Sequence, residues 1–321
     1  MKKLLFLPMI ILLTISGIQC SDNDMTAERR EGFVETEGGK VWYCIEGAEK
    51  PNVPLIIVHG GPGASHDYLL NLGELANGRP VVFYDQLGCG NSDKTTDTAF
   101  FNIDYYTSEL NQLINKLGFK SFHLLGQSWG GYLCVNYLLR FPSDKVKSLT
   151  LSAPLLSTSQ WIADQQYWIS QLPQSAQNTI AECESNQDYT SPAYLDAMTL
   201  FYAKHLCRIS PIPENLEKTF QKMNIQIYNH MWGPSEFTVT GSLLNAGLTD
   251  ELDELKVPCL LSCGEFDEAR PETMKTFMRR ISGSRLIILE NASHSHHIEK
   301  ERQYLTALRE FLYANDRYSS Y

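Results

Sequence analysis

The segment Gly126-Gln127-Ser128-Trp129-Gly130-Gly131 constrains this chain more than any other stretch. Before it, Ser121–Leu125 reads as a short buried strand. After it, Gly131–Phe141 carries apolar residues at helical spacing and stops before Pro142. A serine at the apex of such a strand-to-helix turn is held in a strained backbone conformation, and glycines two positions either side let the chains pass closely. Its hydroxyl is exposed at the carboxyl edge of a sheet, in front of a helix N-terminus that favours developing negative charge. The G-x-S-x-G pattern is short enough to arise by chance. The strand and helix flanking it are what make Ser128 a candidate nucleophile.

The rest of the chain supplies the sheet. From residue 32, strand and helix alternate: Phe33–Glu35 and Val41–Glu46 form a leading hairpin around Gly38-Gly39, then Leu55–Val58 and Val81–Tyr84 flank a helix at Asp67–Ala76. A helix at Asp104–Leu117 leads into the Ser128 turn, and a strand follows at Val146–Leu151. Val257–Cys263 and Leu286–Leu289 are later strands around a helix at Glu272–Ile281, and Ile298–Tyr313 closes the chain as a helix. Continuous apolar strands between amphipathic helices predict an α/β fold whose mostly parallel sheet is covered on both faces. Residues 155–254 break the rhythm with tryptophans, tyrosines and helical stretches, so they are expected to form a helical cap inserted between core segments 32–154 and 255–321.

The N-terminus reads as an address. Lys2-Lys3 precedes the apolar run Leu4–Ile15, which is shorter than the roughly 20 residues a spanning helix needs. Residues 1–19 are therefore expected to be a secretory signal. Gly17-Ile18-Gln19-Cys20 is similar to a relaxed lipobox, which would make Cys20 a lipidated first residue; Leu is usual where Gly17 stands, and a small residue where Gln19 stands. The other reading is a plain signal peptide with an incidental cysteine. Residues 20–31 then form a polar tether. The expected location is outside the cytoplasm: a membrane-anchored bacterial lipoprotein, alternatively a periplasmic or secreted protein.

A formal charge of −10 and the absence of any basic run argue against nucleic acid as a partner. Setting Cys20 aside, seven cysteines remain, an odd number. Cys259 and Cys263 lie four apart on a strand, about 13 Å, too far to bridge. Cys183 and Cys207 are the one pair entertained, because export permits disulfides. No C-x-x-C pair suggests zinc.

Two further groups complete a catalytic set. Gly264-Glu265-Phe266-Asp267-Glu268 follows one late strand, and Glu290-Asn291-Ala292-Ser293-His294 follows the next. Catalytic groups in open α/β sheets gather beyond the carboxyl ends of strands. In that setting His294 would take the Ser128 proton and Asp267 would fix the imidazole. Glu265 is a rival acid, and His296 and His297 are rival bases. The His-x-His-His run lacks a carboxylate at ligand spacing, so no metal is expected, and the serine chemistry requires no organic cofactor. The Trp129 N–H and a glycine of His59-Gly60-Gly61-Pro62-Gly63, Gly61 before Gly60, are the candidate oxyanion donors, with His59 bracing that loop. Trp129, Trp161, Tyr167 and Trp232 are candidate pocket aromatics.

His59-Gly60-Gly61-Pro62-Gly63, Tyr84-Asp85-Gln86-Leu87-Gly88-Cys89-Gly90-Asn91-Ser92 and Gly126–Gly131 together resemble the proline iminopeptidases, serine aminopeptidases of the α/β-hydrolase superfamily. The likeness runs from about residue 32 to 315. Trp232-Gly233-Pro234-Ser235-Glu236-Phe237 is similar to the tricorn-interacting-factor branch, which releases proline and other, often apolar, N-terminal residues from short peptides. The resemblance implies that Glu236 and Glu268 hold the substrate's free α-ammonium. Two carboxylates facing one pocket repel each other, and a cation relieves that repulsion. The implied partner is a short peptide with a free N-terminus. Two other readings stand beside it: an amino-acid amidase or esterase with the same triad, and a non-catalytic surface lipoprotein that binds without turnover.

Overall fold

The computed structural model describes residues 28–141 and 144–317. The expected signal, Cys20 and most of the tether lie outside these residues. Eight strands form one sheet: β1 (Arg29–Thr36), β2 (Gly39–Glu46), β3 (Leu55–Val58), β4 (Val81–Tyr84), β5 (Phe122–Gln127), β6 (Val146–Ser152), β7 (Cys259–Gly264) and β8 (Arg285–Leu289). Their order is β1-β2-β4-β3-β5-β6-β7-β8, antiparallel between β1, β2 and β4 and parallel from β4 onward.

Alternating side chains sort onto two faces, as a sheet covered on both sides requires. Ile56, Val58, Val82, Tyr84 and Leu124 pack with helices α1 (Ile103–Leu117) and α2 (Trp129–Arg140). Leu55, Ile57, Val81, Phe83 and Leu125 turn to the opposite core. There they meet the 3-10 segment His66–Asn77, and behind it the C-terminal helix of the chain. Helix α1 shows how local sequence sets its ends: the Asn102 side chain accepts from the Tyr105 N–H, and Gly118 leaves in the left-handed region at φ 65°.

Asp67–Ala76 is not the expected α-helix but part of that 3-10 segment. Its buried leucines, Leu69, Leu72 and Leu75, recur every three residues, which suits a three-residue turn. Between β6 and β7 lie five α-helices, α3 (Thr158–Ile169), α4 (Gln174–Asn186), α5 (Pro192–His205), α6 (Glu214–Lys222) and α7 (Ile225–Met231), and a 3-10 turn at Thr249–Glu254. Helices α8 (Pro271–Arg280), α9 (His296–Glu299) and α10 (Glu301–Asn315) complete the chain. Cys183 and Cys207 are both free thiols, not the entertained disulfide. Cys183 packs with Tyr194 and Met198 in the helical insertion, whereas Cys207 belongs to the core containing Leu216 and α10. No helix of the described residues is long and apolar enough to cross a membrane.

Candidate active site

Connections leave β3 toward β4 on one side and β5 toward β6 on the other, so a crevice opens beyond their carboxyl ends. The loop after β3 and the turn after β5 meet there. Ser128 sits between β5 and α2 with φ 53° and ψ −122°, an unusual conformation for a non-glycine residue. It is pinned from both sides, by its own N–H donating to the Ser152 carbonyl and by its carbonyl accepting from the Gly131 and Leu155 N–H groups. The turn also demands glycine. A Cβ on Gly126 would lie 2.3 Å from the Gly130 oxygen, and one on Gly130 would lie 2.1 Å from the Val58 oxygen.

His294 and Asp267 arrive from the ends of β8 and β7. The His294 Nδ1 lies 2.8 Å from Asp267 Oδ1, which also accepts from the Ala269 N–H at 2.9 Å. The other oxygen accepts from the Gly264 N–H at 3.1 Å and faces His296 Nδ1 at 3.4 Å. Burial opposes ionisation of Asp267, but His294 and His296 outweigh it and hold the carboxyl below its usual range. The rivals point elsewhere. Glu265 accepts from the Asn291 N–H at 2.9 Å, and His297 Nε2 lies 3.2 Å from the Tyr68 carbonyl. Among the described residues no group of three or more His, Cys, Asp or Glu could hold a metal ion.

A hydrogen-bonded chain joins the oxyanion loop to the histidine. The Gly60 N–H donates to Tyr68 Oη at 2.7 Å, and Tyr68 O–H donates to Gln127 Oε1 at 2.5 Å. Gln127 Nε2 then lies 3.0 Å from His294 Nε2. Because the Gln127 oxygen is taken by Tyr68, its NH2 must face His294, whose Nε2 therefore accepts and whose Nδ1 carries the proton toward Asp267. No hydrogen bond joins Ser128 to His294 in this arrangement. Gly60, with its N–H engaged, is not available as an oxyanion donor; the Gly61 N–H makes no hydrogen bond among the described residues. His59 is buried, its Nε2 accepting from the Gln86 N–H at 3.0 Å, so it braces the loop.

A cavity of about 300 Å³ joins Gly61, Ser128 and His294 to Glu236 and Glu268. Trp161 and Trp232 line it. Trp161 Nε1 donates to Glu236 Oε1 at 3.3 Å, and Tyr228 O–H donates to the other oxygen at 2.6 Å. Glu268 is buried, and its Oε1 has no hydrogen-bond partner. Burial raises the pKa of both glutamates, and for Glu268 the charges of Glu236 and Asp267 push it well above the ordinary carboxyl value. Two expected pocket aromatics are not there. Tyr167, six residues and so about 240° around the helix from Trp161, is exposed, with its ring 3.4 Å beneath the Arg270 guanidinium. Trp129 turns its indole into the core, stacked on Tyr132 and donating to Gln86 Oε1 at 3.0 Å.

Sequence reading missed Tyr68 and Gln127 and treated His296 only as a rival base. Gln127 stood inside the serine motif, which was the available signal. Tyr68 gave none, since one tyrosine in an apolar segment looks like core.

The site and sheet define a hydrolase class, and residues 53–301 match the family described as alpha/beta hydrolase fold. The proline iminopeptidase of Heyndrickxia coagulans is 41% identical over 88% of this chain and 98% of its own length. That of Saccharolobus solfataricus is 36% identical over 88% and 92%. The crystal structure of a Mycobacterium smegmatis proline iminopeptidase superposes with a TM-score of 0.84 at 32% identity, covering 89% of this chain and 99% of that one. The chain belongs to the alpha/beta hydrolase fold family and, within it, to the proline iminopeptidases.

Proposed function

We propose that this protein is an exported serine aminopeptidase that releases N-terminal proline, or another small apolar residue, from short peptides. The observation that carries the reading is the unpartnered, buried Glu268 Oε1 beside Glu236 in the cavity that holds Ser128. A buried acid without a donor is costly unless a ligand supplies one. An N-terminal ammonium supplies charge and hydrogen-bond donors together; an internal peptide bond supplies no charge. The names of the relatives support proline as the first residue. Export and lipidation at Cys20 rest on the leader's sequence alone.

In the proposed reaction His294 Nε2 exchanges its Gln127 contact for the Ser128 hydroxyl and takes the proton as Oγ attacks the first carbonyl carbon. The Gly61 and Trp129 N–H groups hold the oxyanion. Collapse breaks the C–N bond, and His294 returns the proton to the leaving amine. Water then attacks the acyl-enzyme with His294 as base, freeing the amino acid and Ser128.

The test compares prolyl, alanyl, leucyl and phenylalanyl β-naphthylamides with N-acetylproline ester. Free-amine substrates are expected to turn over at least about 100-fold faster than the acetylated ester, the scale of a lost charge pair. Equal rates would favour the esterase reading, and no turnover with no labelling by a fluorophosphonate would favour a binding module.

His296 has a positioning role in this scheme. Its Nε2 lies 3.0 Å from both Ser152 Oγ and Ser262 Oγ, and its Nδ1, which makes no hydrogen bond, lies 3.4 Å from Asp267 Oδ2. His296→Leu is expected to lower kcat about tenfold, the scale of losing a polar neighbour of a buried carboxylate. His296→Gln should recover most of it; an unchanged kcat in the leucine variant would remove His296 from this role.

A further inference from the structure

Glu268 is 2% exposed, so a substrate anchored there by its ammonium must leave by the end open to solvent. That end is formed by α6 and the start of α7. Leu216, Phe220, Met223 and Ile225 line it. Phe220 is 41% exposed and Ile225 58%, so they mark where the cavity opens to solvent. This lip is fixed to the sheet domain. The Asn224 N–H donates to the Gly63 carbonyl at 2.9 Å, the Tyr68 N–H donates to Thr219 Oγ1 at 3.0 Å, and Lys222 Nζ pairs with Asp67 at 2.8 Å. Two large apolar side chains held in solvent at a cavity mouth make a preformed surface for another apolar group. No lysine or arginine is among the residues lining the cavity.

We infer that the lip of Phe220, Met223 and Ile225 is the subsite for the residue after the scissile bond, that it selects a large apolar side chain there, and that the substrate's C-terminal carboxylate goes unread. This rests on the aminopeptidase reading, because the acid pair sets the direction of the chain. A leucine or phenylalanine in second position would cover Phe220 and Ile225 from water, whereas glycine would leave them exposed. Lys222, the cation on this lip, is held by Asp67, so an amidated end gains as much as a free one.

The experiment holds proline in first position and compares Pro-Gly, Pro-Leu, Pro-Leu-amide and prolinamide on the full-length enzyme and on Phe220→Ser/Ile225→Ser. Wild-type kcat/KM is expected to favour Pro-Leu over Pro-Gly by about tenfold or more, as apolar pockets discriminate, with Pro-Leu-amide at least equal to Pro-Leu. In the double variant the Leu-to-Gly ratio should fall below about threefold, each rate being normalised to that enzyme's own turnover of prolinamide. A wild-type ratio near one, a ratio unaltered in the variant, or a strong preference for the free carboxylate would each overturn the subsite. Absence of prolinamide turnover by the wild type would instead sink the aminopeptidase reading.

Discussion

Ser128→Ala is expected to lower kcat on a prolyl β-naphthylamide by about 10⁴- to 10⁶-fold while leaving the fold intact. Without Oγ no acyl-enzyme can form, and what survives is whatever the oxyanion donors and binding contribute to direct attack by water. The stability half follows from the geometry. Ser128 holds its place through backbone hydrogen bonds at its N–H and carbonyl, and alanine keeps all of them. Its hydroxyl makes no bond to His294, which donates through Nδ1 to Asp267 and accepts at Nε2 from Gln127. Removing the hydroxyl should therefore change stability by no more than about 0.5 kcal/mol. Steady-state kinetics, thermal unfolding and fluorophosphonate labelling measure the three quantities. Activity within about a hundredfold of wild type, in protein free of contaminating hydrolase, would mean that another group is the nucleophile.

The fold was legible where periodicity was unambiguous. Leu55–Val58 and Val81–Tyr84 are continuous apolar runs of four because both of their faces are buried, and no helix so short would explain them. The serine turn was legible because strand, glycines and helix all had to coincide. The 3-10 segment was not, since Leu69, Leu72 and Leu75 suit a helical stripe almost as well as a three-residue turn. Tyr167 failed for a different reason: the aromatic content of the insertion was visible, but which face of α3 turns to the cavity depends on packing against elements far away in sequence. The contacts that join Gly60 to His294 through Tyr68 and Gln127 are of the same kind. The links from Tyr68 to Gln127 and from Gln127 to His294 each cross from one strand end to another, and nothing local in the chain announces them.

Glu268→Gln is expected to reduce kcat/KM on free-amine substrates by about two to three orders of magnitude, as loss of a buried ion pair does, and Glu236→Ala by a similar factor. N-acetylproline ester, which brings no cation, should lose nothing in either variant. The pH dependence separates a substrate clamp from a merely structural acid. Burial, then Glu236 and Asp267, raise the pKa of Glu268 in the folded protein, so its protonated form is favoured there relative to the unfolded chain. The stability tied to that proton is fully present below the unfolded carboxyl value near 4.5 and is lost as pH rises through the raised folded value. Glutamine mimics the protonated acid. The variant should therefore match wild type below about pH 4.5 and exceed it in Tm increasingly as pH rises above that. Substrate needs the opposite state, since only ionised carboxylates hold an ammonium. The acid limb of wild-type kcat/KM should thus lie above the ordinary carboxylate range, and a non-hydrolysed amine such as prolinol should raise wild-type Tm most at high pH and that of Glu268→Gln little. A variant that is neither more stable at high pH nor weaker toward free amines would show that Glu268 already has a partner, and the ammonium would need another anchor.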